Sequence, residues 1–295
     1  LYFDGSVDTT AANGKSGTLL LDPDNITIQS GSGTASASGA SSFTTYQNVL
    51  EAVSSTTNID LVATESIALN NSLSFAQTSG QSVTFTATTG SITQSSSDTI
   101  TTSGGNIIMA ANQNLTIGTL NTSGGDITLT GAGLTLSGTL NAGVGAVTIK
   151  GVSGQTIGLD GSTASATAST VSTICNGASC GITLVQSELS AITAGKLTIG
   201  DSSSGGIYVD GVTLAHISGG VTLNSIGSNG SIEFGTTDST LRNATVNANN
   251  NVIIYGNVTT EGDSTFNADF DADGTGRFAV ASGKTLTSTD NKNIT

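Results

Sequence analysis

Asn106 to Gly125 reads NIIMAANQNLTIGTLNTSGG, and Asp126 to Gly145, directly after it, reads DITLTGAGLTLSGTLNAGVG. The two segments are equal in length. Ile107, Met109, Gly118, Leu120 and Asn121 stand over Ile127, Leu129, Gly138, Leu140 and Asn141, and each copy closes on a glycine-containing turn. Only the middle strand slips: Leu115 and Ile117 correspond to Leu134 and Leu136, one position early, because the bend before them is one residue shorter. A period of this length marks a stacked array. Within a copy the apolar residues alternate, as in Ile127 and Leu129 or Leu134 and Leu136, which sends each pair to one face of a strand. A helical reading fails on that spacing of 2, and on the Gly, Thr, Asn and Ser that crowd every segment.

Successive copies present strands in the same order and with the same apolar face. Each copy therefore coils once and lays its strands parallel on the previous copy, the coil itself serving as the crossover that parallel pairing needs. The expected fold is all-β, a single-stranded right-handed parallel β-helix of about 20 residues per coil. Imperfect copies extend it on both sides: SVTFTATTGSITQSSSDTITTSGG from Ser82, AVTIKG from Ala146, LTIG from Leu197, GGVTLNSI from Gly219 and NVIIYGNVTT from Asn251. Two places break the pattern. Phe43 to Val53 puts Tyr46, Val49, Leu50 and Val53 at helical spacing, and Ser187 to Ala194 does so with Leu189 and Ile192, which predicts two short lateral helices. Gly161 to Gly181 is low in complexity and reads as an extruded loop. Residues 1–295 are expected to form one continuous β-helix, 1–160 before that loop and 182–295 after it. The pattern is still running at Asn293-Ile294-Thr295, so the chain reads as a fragment of something longer.

Composition fits a narrow aliphatic core. Of 295 residues 36% are hydrophobic but only 4% aromatic, with no Trp, so Val, Ile, Leu and Ala must fill the interior. Charged residues are 9%, well under the roughly 25% of ordinary domains, and hydroxyl and amide side chains take their place. Twenty-one acidic against seven basic residues give a net charge of −14, which repels phosphate backbones and anionic lipid heads. Nucleic acid is excluded as a partner on that ground. No apolar run is long enough to span a bilayer, and no signal peptide opens the chain.

Several segments resemble the filamentous-haemagglutinin-like exoproteins of two-partner secretion, large bacterial adhesins with β-helical shafts. They are GTLLLDPDNITI (Gly17 to Ile28), the TSGGDITLTGAG-type repeats, GVSGQTIGL from Gly151, SELSAITAGKLTIG from Ser187 and DADGTGRFAVASG from Asp271. The amino-terminal secretion domain of that family is not among them. The resemblance implies that a parent protein leaves through an outer-membrane secretion pore and is secreted or displayed at the bacterial cell surface. The role it implies is structural, an extracellular spacer or fibre segment that is not an enzyme. It can meet a host or cell-surface receptor or glycan, and it can self-associate end to end or laterally.

The chemistry-bearing residues are few. Cys175 and Cys180 enclose four residues in the low-complexity loop, and a disulfide between them suits an oxidising compartment. With one His and no second Cys pair, a zinc site has no ligand set. Asp269, Asp271 and Asp273, followed by Gly274, match the first half of a calcium loop; the twelfth position is Val280 where such a loop needs Glu, so an acidic turn competes with a calcium site. No other cofactor is indicated. His216 is the sole imidazole and lies in an ordinary strand and turn, GVTLAHISGG. Gly14-Lys15-Ser16 imitates the end of a phosphate loop, but Thr9 stands where the first glycine belongs. The rival reading is a β-helical polysaccharide-binding or polysaccharide-degrading protein, a lyase or hydrolase. It would need carboxylates clustered on adjacent coils and aromatic platforms, for which Tyr208, Phe234 and Tyr255 are the candidates. Sequons at Asn25, Asn70, Asn114, Asn121, Asn229, Asn243, Asn257 and Asn293 are numerous enough to arise by chance in a chain this rich in Asn, Ser and Thr.

Overall fold

A computed structural model describes residues 3, 6–33, 36–38, 41–160, 174, 175, 180–289 and 291–295. The protein is all-β, a parallel β-helix with two short helices, and its chain contacts divide it into two units, Leu1–Ala146 and Val147–Thr295.

In the first unit, Thr18–Leu21, Asn58–Ala63, Ser82–Ala87, Asn106–Ala111 and Ile127–Gly131 lie side by side in a parallel first sheet. The second sheet holds Asn25–Gln29, Ser66–Leu69, Ser91–Gln94, Asn114–Ile117 and Gly133–Leu136, and the third holds Leu73–Ser74, Thr99–Thr101, Thr119–Asn121 and Leu140–Asn141. The register is the one the paired segments require. Ile107 faces Ile127, Met109 faces Leu129, and Leu120 faces Leu140. In the middle strand Leu115 faces Leu134 and Ile117 faces Leu136, so the one-residue slip in the sequence is absorbed in the bend and pairing is preserved.

Alternation sends one set of side chains inward, where they pile into columns. Ile59, Val83, Ile107 and Ile127 are each fully buried, as are Ile100, Leu120 and Leu140 on the third side. Each such side chain contributes about 1.5–3 kcal/mol of burial. Polar ladders run up the corners beside them: the Asn106 side-chain oxygen accepts the Asp126 N–H at 2.8 Å, and Asp126 Oδ1 accepts the Ala146 N–H at 2.8 Å. Buried Thr102 donates its hydroxyl to the Gly105 carbonyl at 2.5 Å, and Thr122 repeats the bond one coil on with Gly125. These bonds satisfy corner carbonyls that no ladder reaches.

Outside the two matched copies the coil length varies: Ser231 pairs with Asn251 and Thr245 with Thr265, 20 residues on, while other coils are longer than the sequence reading gives. The Asp126-to-Asn106 bond spans 20 residues, but Ser82 N–H reaches Asn58 Oδ1 over 24, and Thr237 N–H reaches Asp210 Oδ1 over 27. Strand pairing fixes the sides, whereas corners are free to lengthen at modest entropic cost.

The second unit repeats the arrangement. Its first sheet holds Ala146–Gly151, whose first residue belongs to the first unit, with Lys196–Ile199, Val221–Ser225, Thr245–Ala248 and Thr265–Asn267. The second sheet holds Ile157–Asp160, Ile207–Asp210, Ser231–Phe234, Asn251–Ile254 and Arg277–Val280, and the third holds Thr213–Leu214, Ser239–Arg242, Val258–Glu261 and Leu286–Thr289. The correspondence includes an irregularity. In each unit the second sheet gains an extra parallel strand on the far side of its earliest one: Ser42–Tyr46 beside Asn25–Gln29, and Ile182–Val185 beside Ile157–Asp160. Each extra strand runs straight into a helix, α1 (Gln47–Glu51) and α2 (Gln186–Ser190). Phe43-Thr44 and Ile182-Thr183 then match, as do Gln47 and Gln186, Leu50 and Leu189, Ala52 and Ala191.

Both helices do the same job. The Glu51 carboxylate accepts the Ser74 N–H at 2.6 Å, and Gln186 Oε1 accepts the Thr213 N–H at 2.8 Å, so each helix hydrogen-bonds the earliest strand of the third sheet in its own unit. Leu50 and Leu189 are fully buried beneath them. The helices are shorter than their apolar spacing predicts. Phe43 and Tyr46 belong to a strand, and Ile192 belongs to Ile192–Thr193, because β-branched and aromatic residues gain more from the ladder than from another helical turn. The first unit also contains one antiparallel pairing, Ser36–Ser38 with Ser42–Tyr46, in a stretch that the repeat pattern leaves blank.

One outward side chain is badly placed. Asp60 is half-buried, and one of its carboxylate oxygens is buried without a hydrogen bond. Burial first, and the Asp22 carboxylate second, push its pKa up. A carboxyl raised in the folded state stabilises folding below its unfolded pKa and loses that contribution as pH rises through the folded value. Asp60→Asn is therefore expected to raise stability at pH 7 by on the order of 1 kcal/mol and to leave it unchanged near pH 3, read from urea unfolding at both pH values.

Candidate functional site

The structure joins Cys175 to Cys180, with Cα atoms 5.1 Å apart, and neither cysteine is free. Of the loop from Gly161 to Gly181, residues 161–173 and 176–179 lie outside the described residues. What is described does not stand away from the coil. Cys175, Cys180 and Tyr208 form a buried cluster with Ile174 packed against it. Tyr208 is carried by Ile207–Asp210, where Ile207 and Val209 point into the core and Tyr208 points outward beneath the disulfide.

Asp269, Asp271 and Asp273 do converge: one oxygen from each lies within 4.8 Å of the others, on the turn between Thr265–Asn267 and Arg277–Val280. Oxygens of Asp269 and Asp273 are already engaged by the turn. Asp269 accepts the N–H groups of Asp273 at 3.0 Å and Gly274 at 3.2 Å, and Asp273 Oδ1 accepts the Thr275 hydroxyl at 2.6 Å and its N–H at 2.8 Å. The Thr275 bonds hold the Asp273 carboxyl below its usual range. Calcium takes six to eight oxygens, and the position where its bidentate Glu would sit is Val280, paired in a strand with Ile254. The donor set fits a hydrogen-bonded acidic turn better than a calcium loop.

His216 is exposed on the turn after Thr213–Leu214, and with both thiols bonded it faces no Cys nucleophile. Lys15 and Ser16 precede the strand Thr18–Leu21 and open no helix, so the phosphate-loop geometry is lacking there; they line a shallow cleft of about 450 Å³ with Asn58, Gly80 and Gln81. A second cleft, also about 450 Å³, is lined by Ser218, Arg242, Asn243, Glu261, Gly262 and Lys292. Its Arg242 donates to the Ala215 carbonyl at 3.2 Å.

The aromatic platforms proposed from sequence need correction. Tyr208 and Phe234 are 0% and 1% exposed and offer no face to a sugar ring; Tyr255 alone is half-buried. Phe234 faces inward because it falls on the core parity of Ser231–Phe234, and Tyr208 is hidden by the disulfide. The group of three carboxylates belongs to a single turn and does not gather acids from adjacent coils. Among the sequons, Asn70, Asn114, Asn229, Asn243 and Asn293 are exposed. Among the described residues no helix is long and apolar enough to cross a membrane.

The fold and these sites define a parallel β-helical solenoid carrying a disulfide-closed side loop. Comparison with protein-family models, with curated proteins and with solved structures found no match.

Proposed function

We propose that the chain is a structural shaft segment of a large secreted or cell-surface bacterial adhesin of the filamentous-haemagglutinin type, an extracellular spacer or fibre. The observation that carries the reading is the stack itself: within each unit, dry aliphatic columns are wrapped in hydroxyl and amide ladders. Such a stack distributes load over many equivalent hydrogen bonds, and each coil needs only its neighbours. A surface poor in charge, a disulfide and segments resembling two-partner-secretion exoproteins support the extracellular setting. In this reading the parent protein passes an outer-membrane pore, and side loops or a distal region meet a receptor or glycan. The test is antibody against the purified chain applied to intact and to lysed cells of the source bacterium. Labelling of intact cells or of the culture medium is expected; labelling confined to lysed cells would overturn the assignment.

A further inference from the structure

The cleft lined by Ser218, Arg242, Asn243, Glu261, Gly262 and Lys292 lies within the second unit, where the chain leaves the third sheet for the first. Four successive coils contribute to it. Ser218 follows Thr213–Leu214, Asn243 follows Ser239–Arg242, Gly262 follows Val258–Glu261, and Lys292 follows Leu286–Thr289. At about 4.8 Å per coil the lining residues are spread over about 14 Å of the stack. The turns keep the floor low: Asn243 and Gly262 both have positive φ, 42° and 93°, and a Cβ on Gly262 would run into the Asn243 side-chain oxygen.

Charge sets this cleft apart. The chain has seven basic residues against twenty-one acidic ones, and two of the seven, Arg242 and Lys292, meet here. Neither has an ion-pair partner among the described residues. Arg242 stands in register with Glu261, one coil on, yet its guanidinium turns the other way and donates to the Ala215 carbonyl of the preceding coil at 3.2 Å. That bond anchors the fork and leaves most of its five N–H donors unspent. Lys292 is exposed. Two cations without carboxylate partners, in a chain of net charge −14, make a local spot that attracts an anion.

The rest of the lining is polar and holds no aromatic ring. The Glu261 carboxylate accepts from hydroxyls, and Asn243 and Ser218 can both donate to them and accept from them. With no ring to stack on and no apolar wall, a neutral sugar finds little here, so affinity must come from charge. We propose that this cleft binds a carboxylated sugar, the uronate unit of an acidic polysaccharide, with Arg242 and Lys292 on its carboxylate and Glu261, Asn243 and Ser218 on its hydroxyls. A guanidinium meets a planar carboxylate with two parallel hydrogen bonds, which a lysine cannot do. The site does not depend on the adhesin assignment. The cleft of equal volume in the first unit has one cation, Lys15, and serves as the internal control.

Titration of the full isotope-labelled chain with sodium D-glucuronate, followed by backbone amide shifts, tests the site. Saturable shifts are expected at Arg242, Asn243 and Gly262 and none at Lys15, Gly80 and Gln81. Methyl β-D-glucoside at the same concentrations should shift neither group. Lys292→Gln, a change at an exposed side chain, is expected to weaken binding about threefold, and Arg242→Gln about tenfold or more. Arg242→Lys keeps the charge but loses the fork, and should fall between the wild type and Arg242→Gln. Salt at ~0.3 M should weaken binding in every case. Far-ultraviolet circular dichroism of each variant should match the wild type. The absence of a saturable shift with glucuronate overturns the proposal, as do equal shifts with the glucoside or with sodium sulfate, or Lys292→Gln binding as tightly as the wild type.

Discussion

Replacing Ile127 by aspartate is expected to cost more than about 4 kcal/mol and to abolish a single cooperative guanidinium transition for the first unit. Ile127 is fully buried, stacked on Ile107, and its neighbours in the column are aliphatic. An aspartate there finds no donor, since the ladder N–H groups are spent on the adjacent strand, so a carboxylate is left buried and unpaired. In a solenoid the damage spreads to both neighbouring coils, because each coil is stabilised through its interfaces with the next. Thr128→Lys, one residue on and facing outward, is the control and should shift stability by no more than about 1 kcal/mol. Equal midpoints for the two variants would show that the columns are not the source of stability.

The corner glycines carry the second large effect. A Cβ on Gly125 would lie 2.4 Å from the Gly105 carbonyl oxygen and 2.7 Å from that of Gly104, and a Cβ on Gly145 would lie 2.4 Å from the Gly125 oxygen. These are backbone atoms, and the Gly105 and Gly125 carbonyls are held by the hydroxyls of buried Thr102 and Thr122, so nothing flexible can give way. Gly125→Ala is expected to cost about 3 kcal/mol, at the upper end of overpacking penalties. Gly154→Ala separates clash from strain: its φ is +75°, but nothing lies within 4 Å of the added carbon, and about 1–2 kcal/mol is expected there. Circular dichroism melts of both variants give the order, and a Gly154 variant as damaged as the Gly125 variant would refute the glycine column.

Much of this was legible in the residues. The matched copies placed Ile107 over Ile127 and even the slipped pair Leu115 and Leu134, because inward parity and corner glycine are local requirements that each coil must meet on its own. The acidic turn at Asp269 was legible for the same reason, its hydrogen bonds all lying within a few residues. The doubling of the chain was harder to see. Its signal is short, Thr44, Gln47, Leu50 and Ala52 against Thr183, Gln186, Leu189 and Ala191, and the strands around it share parity without sharing residues.

The sequence by itself determined the repeating unit: which side chains face inward, that strands stack in parallel, and where a bend needs glycine. Those follow from alternation and sterics within single strands. Tertiary structure alone decided that Tyr208 and Glu233 are covered while Thr93 is open, and that Asp60 is half-buried beside Asp22. Outward positions look alike in a polar chain, and what covers them is set by loops and coils distant in sequence. Burial of an outward residue is thus a property of the assembled surface, which no local pattern encodes.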